Sequence, residues 1–456
     1  MALSIKPYIE NKERIHLIGI GGVSMNSLGE LLLSKGVPVS GSDRLRTDVT
    51  ARLEALGAKI TYEHKPENVE GAALIVRTAA VHDENPEIVR AHELGIPVME
   101  RAEAWGHIMR DYDNVVCLSG THGKTTSTSM MTMMTMEAQM DPTVMVGSNL
   151  PAIGGTLRIG GKSCFVAESC EYTNSFLRFA PTISVILNVE EDHLDFFKDR
   201  ADIEHSFHQF AQLVPAAGHV IACADNDGAM AAVAGLDRPV FTFGLDQTAD
   251  CTAANLTETQ GAPVFDVVIR GQTYAHVTLG VYGRHNVLNA LAAASAAYVL
   301  GIPGSAVEEG LAGFTGAGRR FEHKGSFNGA EIYDDYAHHP DELHALLTTA
   351  RSLGYRRVVV AFQPHTYTRT HKLFGRFVEE LKLADVAVLA EIYAAREQNA
   401  LGISSADLCQ QIPGSIYCST LDKVTAQLRH LAQPGDLILT VGAGDIYRAG
   451  EKLLEG

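Results

Sequence analysis

The sequence has little of what nucleic-acid binding or a membrane span requires. Its 37 Lys and Arg are outnumbered by 54 Asp and Glu, which gives a net charge of −17 at pH 7. A nucleic-acid-binding surface needs an excess of positive charge, so we do not expect one here. The longest apolar run, NALAAASAAYVLGI from Asn289, is too short and too rich in small residues to span a bilayer. We therefore predict neither a nucleic-acid partner nor membrane insertion.

The spacing of the cysteines and the first residues of the sequence are also informative. The seven cysteines are scattered, odd in number and without a Cys-x-x-Cys pair. This indicates reduced thiols rather than a disulfide framework or a zinc site. The first residues contain no apolar signal core. With 46% hydrophobic and 20% charged residues, the composition is typical of a folded protein, and we expect a cytoplasmic one.

A glycine-rich turn follows the first apolar strand, in RIHLIGIGGVSMNSLGELLLSKG from Arg14. Gly19, Gly21 and Gly22 stand between that strand and a predicted helix. Such a turn can bind NAD(P) or a nucleoside diphosphate, or it can be a turn without a ligand. Asp43 comes about 20 residues after the turn, where an acid can bind a ribose hydroxyl. The pattern therefore favours a nucleotide with a free ribose, without selecting which one.

A second glycine loop lies in CLSGTHGKTTSTSMM, from Cys117. The common phosphate-binding loop has a glycine five residues before its Gly-Lys pair, whereas Leu118 stands there in this chain. Strand, loop and helix nevertheless follow in the order that phosphate binding requires. Backbone N–H groups at the helix start would face a polyphosphate, Lys124 would supply positive charge, and the Thr125 hydroxyl would bind Mg²⁺. A glycine turn with a surface lysine is the alternative. The candidate ATP-binding residues of this loop are Gly120, Thr121, His122, Gly123, Lys124, Thr125 and Thr126.

Acidic residues follow two later apolar strands. FVAESCE ends in Glu168 and Glu171, and ILNVEEDHLD contains Glu190, Glu191, Asp192, His193 and Asp195. Ligands of open α/β sheets bind at the carboxyl ends of strands, and Mg²⁺ prefers oxygen ligands. These residues are therefore candidate magnesium ligands. The alternative is that the acids are solvated loop charges and that His193 only forms hydrogen bonds.

Polar residues also cluster further along the chain. In YGRHNVLNALAA, Asn286 and Asn289 share one face of a predicted helix; they could bind a base or ribose, or Asn286 could cap the helix. In GAGRRFE, Arg319 and Arg320 could stabilise a transferring phosphoryl group or form an interdomain salt bridge. Two further groups follow predicted strands, at the expected ligand edge of a third sheet. They are Asp334, Asp335, His338 and His339 in YDDYAHHPDE, and His365 and Arg369 in FQPHTYTRT.

The alternation of strands and helices predicts an α/β protein with about three domains. We expect a Rossmann-like N-terminal domain over residues 1–113. A central domain over residues 114–318 would resemble a P-loop ATPase, with a mostly parallel sheet and helices. A Rossmann-like C-terminal domain would occupy residues 319–456.

Taken in order, these motifs resemble the Mur ligases, the ATP-dependent amide-forming enzymes of peptidoglycan precursor synthesis. The resemblance covers nearly the whole chain and rests on GTHGKTT, DHLD, HNVLNA, GAGRRFE, DDYAHHPDE and FQPHTYTRT. The family's phosphate loop has the compact Gly-x-x-Gly-Lys-Thr form seen here. Within the family, GIGGVSMN, the histidine of GTHGKT and DDYAHHP look most like the branch that adds L-alanine.

The resemblance implies a substrate set of ATP, UDP-N-acetylmuramate and L-alanine, with Mg²⁺ as cofactor. It implies catalytic roles for Lys124, His193 and Arg320, and a metal site of Thr125, Glu168 and His193, with Glu171 as a reserve ligand. Asn286, Asn289, Arg320 and Asp335 would join the phosphate loop in binding ATP. The UDP-sugar and alanine side would consist of Gly19, Gly21, Gly22, Asp43, His365 and Arg369.

Three other interpretations remain open at the level of sequence. A sister ligase that joins a recycled murein tripeptide to UDP-N-acetylmuramate has nearly the same motifs. A nicotinamide oxidoreductase would use the first glycine loop, but it leaves the second loop unexplained. A regulator that binds nucleotides without catalysis would bind ATP and release no phosphate.

Overall fold

The computed structural model describes residues 3–194, 196–246, 248–259, 261–395 and 397–455. The chain forms two compact units. The larger unit comprises Met1–Ala254, Asp266–Val277 and Leu288–Gly313, and the smaller comprises Asn255–Phe265, Thr278–Val287 and Phe314–Gly456. Strands and helices alternate in three sheets that are mainly parallel, which confirms the predicted α/β fold class. The predicted domain boundaries after residues 113 and 318 stay predictions.

The first sheet has five parallel strands in the order β3-β2-β1-β4-β5. Strand β1 is wholly buried and, apart from His16, apolar, as expected for the central strand of a sheet covered on both faces. The elements are α1 (Lys6–Glu10), β1 (Ile15–Ile18), α2 (Val23–Ser34), β2 (Val39–Ser42), α3 (Asp48–Ala55), β3 (Lys59–Thr61), a 3₁₀ helix (Pro66–Val69), β4 (Leu74–Arg77), α4 (Pro86–Glu93), β5 (Val98–Glu100) and α5 (Arg101–Met109).

The second sheet has ten strands in the order β15-β14-β13-β12-β11-β10-β6-β9-β7-β8. Its elements are β6 (Asn114–Ser119), α6 (Lys124–Glu137), β7 (Thr143–Leu150), β8 (Gly155–Arg158), β9 (Cys164–Glu168), β10 (Ile183–Ile186), α7 (Arg200–Gln212), β11 (His219–Cys223), α8 (Asp227–Val233), β12 (Val240–Phe243), β13 (Cys251–Thr259), β14 (Ala262–Ile269), β15 (Gln272–Thr278), α9 (Arg284–Val299) and α10 (Gly304–Gly313). Two 3₁₀ helices span Pro151–Ile153 and Tyr172–Arg178. Strand β6 pairs in parallel with β9 and β10, whereas β8 is antiparallel to β7.

The third sheet has six strands in the order β16-β17-β21-β18-β19-β20, and β16 alone of the paired strands described runs antiparallel. The elements are β16 (Glu322–Phe327), β17 (Ala330–Asp335), α11 (Pro340–Ser352), β18 (Arg357–Phe362), α12 (Tyr367–Lys372), α13 (Phe374–Leu381), β19 (Val386–Ala390), α14 (Ser405–Gln411), β20 (Ile416–Cys418), α15 (Leu421–Leu431), β21 (Asp436–Val441) and α16 (Tyr447–Leu454).

Small and flexible apolar side chains fill the helix contacts of the larger unit. The alanine-rich run noted in the sequence forms α9, where residues 290–294, 296 and 297 are buried. Met130, Met131 and Met134 of α6 are also fully buried, as expected of side chains that fill irregular core space. Across the described ranges, no helix combines the length and the apolar character that crossing a bilayer would take.

Candidate active site

The strand order brings the second glycine loop between two sets of polar residues. Strand β6 lies between β9 and β10 and is parallel to both. The carboxyl ends of the three strands therefore meet at one edge. The loop from Gly120 to Gly123 leaves β6 at this edge, Glu168 ends β9, and residues 187–193 follow β10. Residues about 45 to 70 positions apart in the chain thereby become neighbours.

The glycines of this loop are required by backbone geometry and by space. Gly120 and Gly123 have φ values of +147° and +84°, a region that L side chains rarely adopt. A Cβ on Gly120 would lie 2.8 Å from Leu187 Cβ, and one on Gly123 would lie 2.4 Å from Asn289 Oδ1. Gly123 is the N-cap of α6, and no side chain caps this helix start. Its first N–H groups thus remain suited to an anion.

The segment after β10 holds the loop in shape. The N–H of Thr121 donates to the main-chain oxygen of Asn188 at 3.0 Å, and the N–H of His122 donates to Asn188 Oδ1 at 2.7 Å. The Asn188 amide in turn donates to the carbonyl of His122 at 3.1 Å. The N–H of Glu190 donates to Thr121 Oγ1 at 2.8 Å. Asn188 was not among the sequence candidates, although an amide directly after a buried strand was visible in ILNVEE.

Lys124 is held by the loop and by a buried acid. Its Nζ donates to the carbonyl oxygens of Gly120 and Thr121 and lies 3.0 and 3.2 Å from the two carboxylate oxygens of Glu171. Burial by itself would lower the pKa of Lys124. The charges of Glu171 and its other neighbours raise the pKa by more, so it lies well above its usual value. The lysine is therefore positively charged at neutral pH.

The candidate metal ligands divide into two contacting pairs. Thr125 Oγ1 donates to Glu168 Oε1 at 3.0 Å, and the N–H of Gly147 donates to Glu168 Oε2 at 2.6 Å. His193 Nε2 lies 3.9 Å from Glu171 Oε1, and His193 has a positive φ of +51°. A hydroxyl beside a carboxylate is an oxygen donor set that suits Mg²⁺. Asp195, another candidate, lies outside the described residues.

The two asparagines of α9 have different surroundings. Asn289 Oδ1 accepts the Ser127 hydroxyl at 3.2 Å, which places this amide against the start of α6. Asn286 lies inside α9, and its Nδ2 donates to the carbonyl of Tyr282 at 2.6 Å. Because an N-cap side chain precedes the helix and accepts hydrogen bonds, Asn286 does not cap this helix.

The first glycine loop lies at the carboxyl end of β1, between the ends of β2 and β4. The Ser42 carbonyl accepts the N–H groups of Gly19 and Ile20 at 2.8 and 3.1 Å. Asp43 Oδ2 accepts the Gly21 N–H at 2.8 Å. Gly22 precedes α2 with no side-chain cap. The structure therefore brings Gly19, Gly21, Gly22 and Asp43 together at the central crevice of a parallel sheet, where such sheets bind ligands.

In the smaller unit, the adjacent arginines have different partners. The Arg319 guanidinium donates to Asp334 Oδ2 at 2.8 Å and to the carbonyls of Gly444 and Gly442 at 3.1 and 2.6 Å. Arg320 NH1 is 4.0 Å from Glu342 Oε1. The Arg319 guanidinium thus forms three hydrogen bonds within the unit, whereas Arg320, the predicted catalytic residue, forms this long ion pair and a ring contact with Tyr336.

Asp335 is a buried acid held by backbone donors. Its carboxylate accepts the N–H of Phe321 and of Ala337, both at 2.7 Å. Burial raises the pKa of Asp335 to about 6, against the lowering effects of Arg320 and these two N–H groups.

The two histidine groups of the smaller unit meet at the carboxyl edge of the third sheet. The rings of His338 and His365 are 5.9 Å apart between centroids. Arg369 NH1 lies 3.2 Å from His365 Nδ1, and the His365 ring stacks on Tyr393. His339, by contrast, is 1% exposed and caps α11. His338, His365 and Arg369 thus lie together at this edge of the sheet.

Three models of the Mur ligase family match the chain in succession. The Mur ligase family catalytic domain matches residues 14–113, and the Mur ligase middle domain matches residues 118–297. The glutamate ligase domain of the Mur ligases matches residues 319–444. Together they cover most of the chain.

Individual proteins match over nearly their whole length. A UDP-N-acetylmuramate–L-alanine ligase of Caldanaerobacter subterraneus subsp. tengcongensis is 44% identical, over 98% of each chain. The crystal structure of the UDP-N-acetylmuramate-alanine ligase of Thermotoga maritima matches with a TM-score of 0.83 at 28% identity, over 97% of this chain and 98% of that one. A murein peptide ligase from Psychrobacter arcticus shares the fold, with a TM-score of 0.73 at 24% identity over 97% and 98% of the chains. The resemblance stated from the motifs is confirmed, and the chain belongs to the Mur ligase family.

Proposed function

We propose that this protein joins the lactyl carboxylate of UDP-N-acetylmuramate to the amino group of L-alanine, with conversion of ATP to ADP and phosphate. The observation that carries the proposal is the compact loop of Gly120 to Gly123, with Lys124 and Thr125 beside the carboxylates that end β9. The choice of L-alanine is supported by a full-length relative of that name at 44% identity.

The chemistry proceeds in two steps. A free carboxylate is a poor electrophile, so its oxygen first attacks the γ-phosphorus of ATP, and the bond to ADP breaks. The resulting acyl phosphate is then attacked by the alanine amine at the carbonyl carbon. A tetrahedral intermediate collapses with loss of phosphate and of the amine proton, which leaves the amide. Positioning and neutralisation of charge account for most of the catalysis in such transfers.

Residues of the loop would bind and orient the triphosphate. The first N–H groups of α6 and the Lys124 ammonium offer donors for the β- and γ-phosphates. Thr125 and Glu168, 3.0 Å apart, would hold Mg²⁺, with His193 as a third ligand. Mg²⁺, when bound, would neutralise phosphate charge. Arg320 would add charge at the γ-phosphate, and Asp335, Asn286 and Asn289 would contact the nucleotide.

The other candidate residues are assigned to the remaining substrates. Gly19, Gly21, Gly22 and Asp43 would bind the UDP portion, since they lie together at the switch point of a parallel sheet. His365 and Arg369 would contact the muramoyl and alanine side. Each of the seven cysteines, all within the described residues, is a free thiol; a reducing compartment, the cytoplasm, is therefore the proposed location.

Phosphate release from ATP and Mg²⁺ tests the proposal. With UDP-N-acetylmuramate present, L-alanine should stimulate release strongly, whereas the murein tripeptide L-alanyl-γ-D-glutamyl-meso-diaminopimelate should not. The reverse preference would establish the sister ligase instead. No release with either acceptor would favour the regulator.

Lys124→Ala should abolish this phosphate release, with a loss of at least about a thousandfold, because the variant lacks the one lysine in the sequence GTHGKTT and with it the proposed cation at the phosphates. Lys162→Ala is the matched control, because this lysine is exposed and lies just before β9, a strand of the same sheet as β6. It should retain full activity. Substantial turnover by Lys124→Ala would refute the assigned role.

A further inference from the structure

Lys124 has no ammonium hydrogen left over in its observed position. An ammonium carries three N–H donors. Here they face the carbonyl oxygens of Gly120 and Thr121 and the carboxylate of Glu171. A phosphate that binds Lys124 must therefore replace at least one of these partners, and the carboxylate is the one with a competing negative charge.

The two glutamates after β9 have separate tasks. Glu168 contacts Thr125 and the N–H of Gly147, whereas Glu171 contacts Lys124. The Glu171 side chain is 3% exposed, so water screens its charge poorly and its attraction for the lysine is strong. The same carboxylate would repel a polyphosphate placed beside the lysine. Glu171 thus has a role that differs from that of Glu168.

A second partner for Glu171 lies nearby. His193 Nε2 is 3.9 Å from Glu171 Oε1, so a modest rotation of the glutamate side chain would bring the two groups into hydrogen-bond distance. The carboxylate could then leave Lys124 without becoming a buried charge with no partner, which would be costly.

We propose that Glu171 is a positioning residue that holds Lys124 on the loop and must release it before the lysine binds nucleotide phosphates, so that Glu171 limits nucleotide affinity. This inference rests on the proposed function, because it presupposes that the loop binds ATP. It predicts that removal of a buried acid from the site strengthens nucleotide binding.

Titration calorimetry with ADP in EDTA tests the inference without metal or turnover. Glu171→Gln should bind ADP about tenfold more tightly than the unchanged protein. The charged carboxylate no longer competes with the phosphates for Lys124, and the loss of one such contact of ordinary strength corresponds to this factor. Glu137→Gln is the matched control, because it removes the same charge at the exposed far end of α6 and should change the affinity by less than about twofold. Equal or weaker binding by Glu171→Gln would overturn the proposal.

A double-mutant cycle with Lys124→Ala separates competition for the lysine from direct repulsion. In the Lys124→Ala background, at ADP concentrations high enough to measure the weakened binding, Glu171→Gln should add no affinity. The same tenfold gain in that background would show direct repulsion and overturn the proposal. Glu171→Ser, checked by its melting curve, serves as the second variant if Glu171→Gln does not fold. If the unchanged protein fails to bind ADP even with Mg²⁺, the proposed ATP site is wrong. That result is distinct from a failure of the inference about Glu171.

Discussion

Adjacent side chains of one chemical type have different tasks in this protein. The Arg319 guanidinium donates to Asp334 and to two carbonyls, whereas Arg320 lies 4.0 Å from the carboxylate of Glu342. His339 is a buried helix cap, whereas the ring of His338 approaches that of His365. At the residue scale, function therefore depends on which neighbour has already used a side chain's donors, and identity alone does not decide it.

The titration of Asp335 gives a prediction at this scale. The folded pKa of about 6 exceeds the ordinary value of 3.8, so between these values the folded chain keeps a proton that the unfolded chain has lost. The stability that this proton confers is present at low pH and is lost as the pH rises through about 6. Asp335→Asn lacks this titration. Between pH 3.8 and about 6, the melting temperature of the unchanged protein should therefore fall relative to that of the variant.

Above pH 7 the difference between the two melting temperatures should be constant, because Asp335 is then ionised in both states. A difference that does not vary between pH 4 and 7 would contradict the raised pKa.

At the scale of elements, the connection from β6 to α6 carries the proposed phosphate site. Its conformation depends on two positive-φ glycines and on Asn188 from the neighbouring strand end. A side chain cannot be added without moving the helix start or the α9 amide beside it. The element is therefore specified by backbone geometry as much as by its lysine.

Gly123→Ala should weaken ADP binding by at least about tenfold, because the new Cβ would lie 2.4 Å from Asn289 Oδ1 at a φ of +84° and a strained residue of this kind costs about 1–3 kcal/mol. Gly375→Ala is the control, since this glycine lies in α13 and a Cβ there meets nothing within 4 Å. That change should leave ADP affinity unaltered, as calorimetry would show. Normal binding by Gly123→Ala would mean that the loop geometry is not required.

A buried polar network stabilises the element that supports the first glycine loop. Glu87 is fully buried and accepts the Ser42 hydroxyl at 2.6 Å and the Asn68 amide at 2.6 Å. His64 Nδ1 lies 2.9 Å and His16 Nε2 lies 3.4 Å from its carboxylate. The carbonyl of Ser42 in turn accepts N–H groups of the glycine loop. The network thus fixes the end of β2 against that loop.

Replacement of Glu87 should be costly and should depend on pH. Burial raises the pKa of Glu87, but the four hydrogen bonds outweigh it and bring the pKa to about 2, from the ordinary 4.5. Its stabilising contribution is therefore present above pH 4.5 and is lost as the pH falls toward 2. Glu87→Gln should lower stability at pH 7 by roughly 3 kcal/mol, and urea unfolding should show this deficit shrinking below pH 4.5. A deficit that is equal at pH 3 and pH 7 would argue against the lowered pKa.

At the scale of the whole molecule, three sheets each present loops at their carboxyl edges. The first carries the glycine loop with Asp43, the second carries the phosphate loop, and the third carries Asp335, His338 and His365. This distribution agrees with the proposed reaction, which has three substrates.

Ligand binding should stabilise the folded molecule by an amount that grows with the logarithm of the ligand concentration divided by Kd. With Mg²⁺, ADP at about 100 times its Kd should add about 2.7 kcal/mol and raise the melting temperature. At the same ADP concentration, EDTA should remove part of this gain, because it would remove the metal that Thr125 and Glu168 are proposed to bind. Lys124→Ala should show little or no shift. An equal rise in melting temperature with and without EDTA would contradict a metal contribution.

Much of this organisation was predictable from the sequence. The alternation of apolar strands with helices, the two glycine loops and the order of the later motifs indicated the α/β class and the family. These features are local, since a strand–glycine–helix transition is encoded by residues that follow one another. The assignments of the ATP, metal and sugar residues were made by resemblance and stay predictions.

The sequence by itself determined which segments form strands, loops and helices, and where the two glycine loops lie. The tertiary structure alone decided which polar residues meet, that Asn188 shapes the phosphate loop, and that Glu171 rather than Glu168 pairs with Lys124. The physical reason is that a buried strand's apolar pattern does not encode its neighbours. Contacts among strand ends tens of residues apart follow from the order of strands in the sheet, and that order is a property of the assembled core.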